Sequence, residues 1–410
     1  MNVCLRSEPR LRRGCLNLLI INLVVASGSA PAQNWTTTTA PVANWISVAS
    51  SADGNRLAAL IQNGETVYIS TNAGGNWTVS SPANGAFGSS IACSADGSIL
   101  YFNGNTQIFR STNSGATWSS QNSPSENWTS VACSADGRLA AATSATRRSS
   151  TAGVFTTVNA GGTWNFSTAP TDDWLAIASS ADGNHLAAID ILAAAIYTST
   201  DAGNTWAQHS PPVQAFSAVA SSADGTRLFA TCGNNATVNG PIYLSTNGGL
   251  NWTQTTAPVT NWTTVACSAD GNTILAGGGG VSFLGRLFLS TDGGASWNQT
   301  NVLLTHWTSV AISADGTKLV AAEFGGHIYT LDLSPVSLSP ILSLKTSASN
   351  VVVSWLVPSM NFLLQQNADL TLSNWTDVPT TPMLNLSNLQ IEVTLPQTND
   401  QFYYRLRSGN

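Results

Sequence analysis

The tetrapeptide Ser-Ala-Asp-Gly occurs seven times in this chain, and no other feature restricts its fold so strongly. The aspartates stand at Asp53, Asp96, Asp136, Asp182, Asp224, Asp270 and Asp315, at intervals of 43, 40, 46, 42, 46 and 45 residues. A period of roughly 40–45 residues suits a β-propeller blade of four strands and is too long for leucine-rich or ankyrin repeats. One repeat shows the logic. Trp262 to Ser268 is rich in aromatic and β-branched residues and predicts a first strand. Ala269-Asp270-Gly271-Asn272 supplies residues that tolerate the positive φ of a tight hairpin. Thr273–Gly277, Arg286–Ser290 and Ser296–Thr300 complete four short antiparallel strands, with a second turn at Thr291–Gly294.

The seventh repeat stops after three strands, Trp307–Ser313, Leu319–Glu323 and Ile328–Leu333. The missing fourth strand lies at the other end of the chain. Asn34-Trp35-Thr36-Thr37-Thr38-Thr39-Ala40-Pro41 matches the outer strand of the fifth repeat, Asn251-Trp252-Thr253-Gln254-Thr255-Thr256-Ala257-Pro258. Residues 34–40 are therefore expected to form the outer strand of the last blade and leave no open sheet edge. The expected fold is all-β, a seven-bladed propeller over 33–333, followed by a linker at 334–340 and a small β-sandwich at 341–410.

The second turn carries Ser-x-Asp/Asn-x-Gly-x-x-Trp at Ser70–Trp77, Ser111–Trp118, Ser199–Trp206, Ser245–Trp252 and Ser290–Trp297, with Thr157–Trp164 as a variant. These six copies resemble the BNR or Asp-box repeat of the sialidase-like and photosystem II assembly factor-like propellers. The resemblance implies that the Asp or Asn folds back on its own turn and that the Trp packs between strands. It says little about activity, because that family spans sialidases, xyloglucan hydrolases, sortilin-type receptors and photosystem assembly factors. In the tail, Val351–Trp355, Asn374-Trp375 and Phe402–Arg407 resemble a fibronectin type III-like module of the kind found at the ends of secreted bacterial proteins, which implies adhesion or spacing.

Residues 1–32 read as a signal peptide: Arg6, Arg10, Arg12 and Arg13 precede the apolar stretch Leu16–Val25, and Ala30-Pro31-Ala32 gives a cleavage site. The stretch is too short to span a bilayer, and no later segment is apolar enough, so no transmembrane span is expected. The expected location is the periplasm, the cell surface or the medium. Charged residues make up only 9% of the chain and the net charge is -6. Without a basic stripe, nucleic acid is not an expected partner. Cys93, Cys133 and Cys267 share a repeat position with Ser50, Ser179, Ser221 and Ile312. With Cys232 they read as free, buried thiols rather than disulfides or metal ligands.

Strand order places both repeated turns on one face and the more irregular loops on the other, where ligands are expected. Trp45, Phe87, Trp128, Trp174, Phe216, Trp262 and Trp307 recur at the start of each first strand and read as packing between blades rather than a sugar-stacking ring. The repeat aspartates read as turn residues. Outside the two turns and the strand-end Asp332, the propeller keeps Glu65, Glu126, Asp172, Asp173, Asp190 and Glu323, all expected on or beside the loop face. Glycoside hydrolysis needs two carboxylates across the scissile bond, and Glu65, Asp190 and Glu323 are its candidates. Sialidases of the resembled family also use three arginines and an early Arg-Ile-Pro motif. That motif is absent, and Arg56, Arg138 and Arg227 follow the Ser-Ala-Asp-Gly turns on the wrong face. His306, Glu323 and His327 form a cluster of unspecific spacing, read as incidental rather than as a metal site.

The expected function is non-catalytic binding of a glycan or surface protein by a secreted, monomeric propeller. Candidate ligand residues are Asn103, Asn105, Arg147, Arg148, Asn234, Asn235, His306 and His327, and no cofactor is expected. A glycoside hydrolase and a protein-complex assembly factor are the alternatives.

Overall fold

A computed structural model describes residues 5–6, 34–62, 66–80, 88–104, 106–145, 152–209, 211, 215–233, 239–279, 284–334, 342–346, 349–356, 362–369, 374–385, 387–388, 390–396 and 402–408. The chain divides into two compact units, one built on Gln33–Leu333 and the other on the C-terminal segments Ser334–Asn385 and Gln390–Asn410.

The first unit is a ring of seven blades, each of four antiparallel strands. Blade 1 consists of Ala43–Ser50, Leu57–Ile61, Val67–Ser70 and Thr78–Ser80. Blade 4 consists of Trp174–Ser179, Leu186–Asp190, Ala195–Ser199 and Ala207–Gln208. Blade 7 takes three strands from Trp307–Ile312, Lys318–Gly326 and Ile328–Asp332, and its fourth from Thr36–Thr37. Thr36 pairs with Thr330 and Thr37 with Tyr329, so the closure expected from sequence is present. The second strand of blade 7 runs three residues past the expected Glu323. The extension pairs Phe324 with Asn44 and Gly326 with Ala43, which joins the last blade to the first.

The Ser-Ala-Asp-Gly turns explain why the repeat is so uniform. In each, the Ser hydroxyl donates to the Asp carboxylate at 2.5–2.6 Å. The same hydroxyl accepts from the backbone N–H five residues on, at 2.8–3.0 Å. The Asp accepts from the N–H two residues on, which makes an Asx turn. The Gly takes a φ between +66° and +77°, a region that side chains with a Cβ disfavour.

The Ala of the motif has a different task. Its N–H donates to the carbonyl of the equivalent Ala in the next blade: Ala52 to Ala95, Ala95 to Ala135, Ala135 to Ala181, Ala181 to Ala223, Ala223 to Ala269, Ala269 to Ala314, and Ala314 back to Ala52, all at 2.7–2.9 Å. Seven bonds thus close a circle around the axis. A small residue is wanted here because seven chains converge on one point. Hydroxyls on the first strands add further links between blades. Ser47, Ser90, Ser130, Thr264 and Ser309 each accept a backbone N–H from a neighbouring first strand.

The core is distributed as wedges between blades. Trp45, Trp174, Trp262 and Trp307 are completely buried, and Trp128 and Phe216 nearly so. The Trp of the second turn leans on the first-strand Trp at 6.3–6.5 Å in four blades, Trp77 on Trp45, Trp164 on Trp128, Trp206 on Trp174 and Trp297 on Trp262. Each buried indole removes roughly 200 Å² from water, worth roughly 4–6 kcal/mol of transfer free energy. Phe87 lies outside the described residues.

The second unit is a sandwich of two sheets. One orders Ser343–Thr346, Asn350–Leu356, Gln390–Pro396 and Met383–Asn385 edge to edge. The other orders Leu5–Arg6, Tyr403–Ser408, Phe362–Asn367 and Thr376–Asp377. Trp355, Val353 and Val393 are buried between them. Arg405 lies over the Trp375 ring at 4.4 Å and donates to Gln365. No described helix is long and apolar enough to cross a membrane.

Candidate functional site

The loop face is assembled from two kinds of segment. Mid-blade loops join the second and third strands, and inter-blade loops lead into each first strand. A repeated hydrogen bond ties them together, because the residue just before each first-strand aromatic offers its carbonyl to the start of the mid-blade loop. It joins Gln62 to Asn44, Ala145 to Asn127, Ile191 to Asp173, Gly233 to Ala215, Gly279 to Asn261 and Phe324 to His306. These bonds tie the base of each such mid-blade loop to the neighbouring loop.

Glu65, Asn105, Arg147, Arg148, Asn234 and Asn235 lie outside the described residues. The remaining candidates can be placed. Asn103 is 1% exposed, turned inward rather than toward a ligand. Its carbonyl oxygen accepts from the N–H groups of Ser90 and Ser89, and its amide donates to the Ser89 hydroxyl. It holds the approach to blade 2 in shape.

In blade 7 Glu323 and His327 come together, and His306 meets that segment through its backbone carbonyl, which accepts from the Phe324 N–H. The Glu323 carboxylate is engaged: one oxygen accepts from the Thr305 hydroxyl and the other from the Tyr329 hydroxyl and the His327 N–H. Burial and the neighbouring Glu323 charge push the Tyr329 phenol up to about 12, so it stays a donor. The His327 ring packs edge-on to Tyr329 at 6.1 Å. Among the described residues no group of three His, Cys, Asp or Glu is arranged to hold a metal ion.

Asp190 was expected beside a ligand and is fully buried at the end of the second strand of blade 4. One carboxylate oxygen accepts from the Ala193 N–H at 2.9 Å. The other has no donor among neutral groups and faces Asp172. Burial first, and then the Asp172 carboxylate, push Asp190 up to about 6. Asp190 therefore keeps its proton in mildly acidic solution. This pairing is not apparent from separate acids in the sequence. It follows from the hairpin register, which sets Trp174 opposite Asp190 and so brings Asp172 alongside. Glu126 is also buried, at 7% exposure.

The aromatics of the first strands are wedge fillers, as above, and do not reach a ligand. Among the described aromatic residues of the propeller only Phe166, on an outer strand, is exposed. On the turn side the axial channel ends in a cavity of about 160 Å³ beside the alanine ring, lined by Cys93, Cys133, Cys267, Ser50, Ser179 and Ser221 among others. Burial pushes the Cys133, Cys232 and Cys267 thiols up to about 12 and Cys93 well above its usual value. All four cysteines are unbridged. They are thiols, not thiolates, at neutral pH, and poor nucleophiles.

No known protein-family profile matches the chain, and no curated protein matches it in sequence. Solved structures do match in fold. The GH74 xyloglucanase from Xanthomonas campestris (Xcc1752) aligns with a TM-score of 0.58 at 15% identity, over 79% of this chain and 59% of that one. This chain thus spans little more than half of the xyloglucanase. YCF48 from Cyanidioschyzon merolae aligns with a TM-score of 0.57 at 15% identity, over 73% of this chain and 99% of that one. YCF48 bound to D1 peptide aligns with a TM-score of 0.54 at 14% identity, over 80% of this chain and all of that one (100%). These likenesses establish a β-propeller fold and nothing finer.

Sequence reasoning missed one set of loop-face residues. Val42, Val259, Leu284, Leu303 and Leu304 are exposed by 63%, 59%, 57%, 70% and 47% on these loops. The signal was present: Val42, Val259 and Leu304 each stand three residues before a first-strand Trp.

Proposed function

We propose that this chain is a non-catalytic binding propeller that holds a segment of another protein on its loop face. The carrying observation is how three of the described acids are used, with Asp172 and Asp173 left half-exposed. Asp190 is buried against Asp172, Glu323 is held by Thr305, Tyr329 and His327, and Glu126 is buried. Glycoside cleavage needs an acid and a base open to the same sugar, so this arrangement favours binding over hydrolysis. A glycan ligand is disfavoured because the first-strand aromatics, which would stack on sugar rings, are buried.

A protein ligand also agrees with the likeness to YCF48, which is matched along its whole length and has been seen with a D1 peptide. The internal hydrogen bonds of the six second turns support placing them among Asp-box repeats: the Ser or Thr hydroxyl accepts from the Gly N–H, and the Asn or Asp accepts from the N–H four residues on. The C-terminal sandwich is proposed as a fibronectin type III-like spacer or adhesion module. The leader-like residues 1–32 support a location outside the cytoplasm in this reading, and their removal would take Leu5–Arg6 from the edge of the sandwich sheet.

The test is a pair of arrays probed with the purified chain, one of glycans and one of peptides, each read for retained label and for loss of substrate. Retention on peptides without chemical change is the expected result. Cleavage of any glycan would replace this reading with the hydrolase.

A further inference from the structure

Of the described aliphatic side chains exposed on the loop face, Ile191 and Leu192 stand apart on the mid-blade loop of blade 4, and the other five belong to consecutive blades. Val259 lies on the loop into blade 6, Leu284 on the mid-blade loop of blade 6, Leu303 and Leu304 on the loop into blade 7, and Val42 on the loop into blade 1. They form an arc over blades 6, 7 and 1. The equivalent positions in blades 3 and 4 are Ser125 and Thr171.

Along this arc neighbouring loops are stitched together. At the seam of blades 5 and 6, Gly240 and Thr260 exchange two backbone hydrogen bonds, at 2.9 and 3.3 Å. At the seam of blades 6 and 7, Gly285 and Thr305 do the same at 2.8 and 3.1 Å. At the seam of blades 7 and 1, Phe324 pairs with Asn44 and Gly326 with Ala43. Val42, Val259, Leu284 and Leu304 each stand next to such a pair and Leu303 two residues from one, so the arc is apolar and its backbone is tied at intervals. Exposed aliphatic residues on a fixed backbone contribute nothing to folding, and burial under a partner would recover that cost.

One exposed charge sits within the arc, apart from the half-buried Glu323 carboxylate that Thr305 and Tyr329 engage. Arg286 is exposed, and its guanidinium has neither an ionic nor a hydrogen-bond partner among the described residues. The register of the Gly285–Thr305 bridge sets Arg286 opposite Leu304 and next in line after Leu284. A lone cation framed by leucines complements an apolar segment that carries one carboxylate. A single Arg on a chain of net charge -6 does not suit an anionic membrane surface.

Building on the protein-ligand reading above, we infer that the arc of Val42, Val259, Leu284, Leu303 and Leu304 with Arg286 docks an extended apolar segment of a partner protein bearing an acidic side chain that pairs with Arg286. Leucines supply the buried contact and the arginine fixes register.

The test is selection of a phage-displayed library of random peptides on the immobilised full chain, followed by affinity measurement of the enriched peptides. Enrichment of apolar peptides containing Asp or Glu is expected. Leu303→Asp and Arg286→Glu should each weaken them by about tenfold or more. Val79→Asp and Leu250→Asp, exposed aliphatic positions away from the loop face, should leave affinity unchanged and serve as folding controls. A charge-reversed peptide, with Lys for its acid, should bind Arg286→Glu better than the parent chain. Peptides that bind equally well to all variants would overturn the arc while leaving the protein-ligand reading intact. Failure to enrich any peptide, with retention only on glycans or on neutral phosphatidylcholine vesicles, would overturn both.

Discussion

The two faces of this propeller are made from the same seven blades and are built on opposite principles. On the turn face every blade repeats one hydrogen-bonded device, its Ser nearly buried and its Asp engaged, and the alanines link the devices into a closed circle. On the loop face the backbone is tied down at intervals, but the side chains differ from blade to blade and several large aliphatic ones face solvent. The carboxylates record the contrast. On the turn face burial acts to raise Asp53, Asp96, Asp182 and Asp224, but hydrogen bonds from Ser hydroxyls and backbone N–H groups overcome it and hold them below their usual value. On the loop face Asp190 is driven the other way, to about 6. Repetition marks what holds the ring together, and departure from repetition marks what is left for a partner.

The strongest test of the first half of that statement is to open the ring. A chain starting at Ala43 loses the Thr36–Thr37 strand, the packing of Trp35 and the buried Ala40. Compared with a chain starting at Gln33, it should lose about 5 kcal/mol and melt about 10 °C lower, or aggregate through the bared edge of Ile328–Asp332. A thermal melt decides. A shift within about 2 °C would mean that the alanine circle, not the closing strand, holds the first and last blades together.

A single atom on the turn face should matter more than a whole side chain on the loop face. Ser222→Ala removes the donor to Asp224 and the acceptor of the Arg227 N–H in a site that is 1% exposed. A cost of about 1–2 kcal/mol is expected, because the Arg227 N–H loses its acceptor while Asp224 keeps only the Thr226 donors. Asn239→Ala on the exposed loop face should stay within about 0.5 kcal/mol. Denaturant unfolding of both variants gives the comparison, and equal effects would dissolve the distinction between the faces.

The pH dependence follows from the opposite shifts. Asp190 has a folded value above its unfolded one, so it binds its proton more tightly when folded. Its contribution is fully present below about pH 4 and is lost as pH rises through about 6. Asp190→Asn keeps a neutral group there, able to donate to Asp172. It should stabilise the protein by about 1–2 kcal/mol at pH 7 and by almost nothing at pH 4. The turn-face aspartates have depressed values, so their contribution is present above about pH 4 and falls away in more acid solution. Melting curves of parent and variant between pH 4 and 8 should converge on the acid side. A constant gap across that range would mean that Asp190 does not titrate there.

Much of this could be read in the sequence because it repeats. Seven Ser-Ala-Asp-Gly turns, six Trp-bearing second turns and the displaced strand at Asn34–Ala40 are local patterns, and local patterns dictate local hydrogen bonds. The blade count and the closure follow from them. What could not be read depends on which chain segment lies across a gap. Asn103 looks like a ligand-face amide until Ser89 and Ser90 are found against it. Glu323 looks like a free acid until Thr305 and Tyr329 are seen to donate to it. The sandwich strands Ser343–Thr346 and Met383–Asn385 lack a distinctive pattern, being mostly exposed edge strands, and were not expected. The continuation of the blade 7 strand to Gly326 depends on a partner in blade 1 some 280 residues earlier.

The smallest expected effect is the one that most sharpens the comparison. Leu303 is 70% exposed, and its replacement by Ser removes an aliphatic side chain that touches little of its own fold. Stability should change by no more than about 0.5 kcal/mol, and the melting temperature by about 1 °C. An exposed leucine on a loop pinned by the Gly285–Thr305 pair, yet without effect on stability, would have to be explained by something other than folding. If instead Leu303→Ser destabilised the chain as a core substitution does, by about 2 kcal/mol or more, the loop would be packed in solution. The arc would then be part of the blade rather than a surface waiting for a ligand.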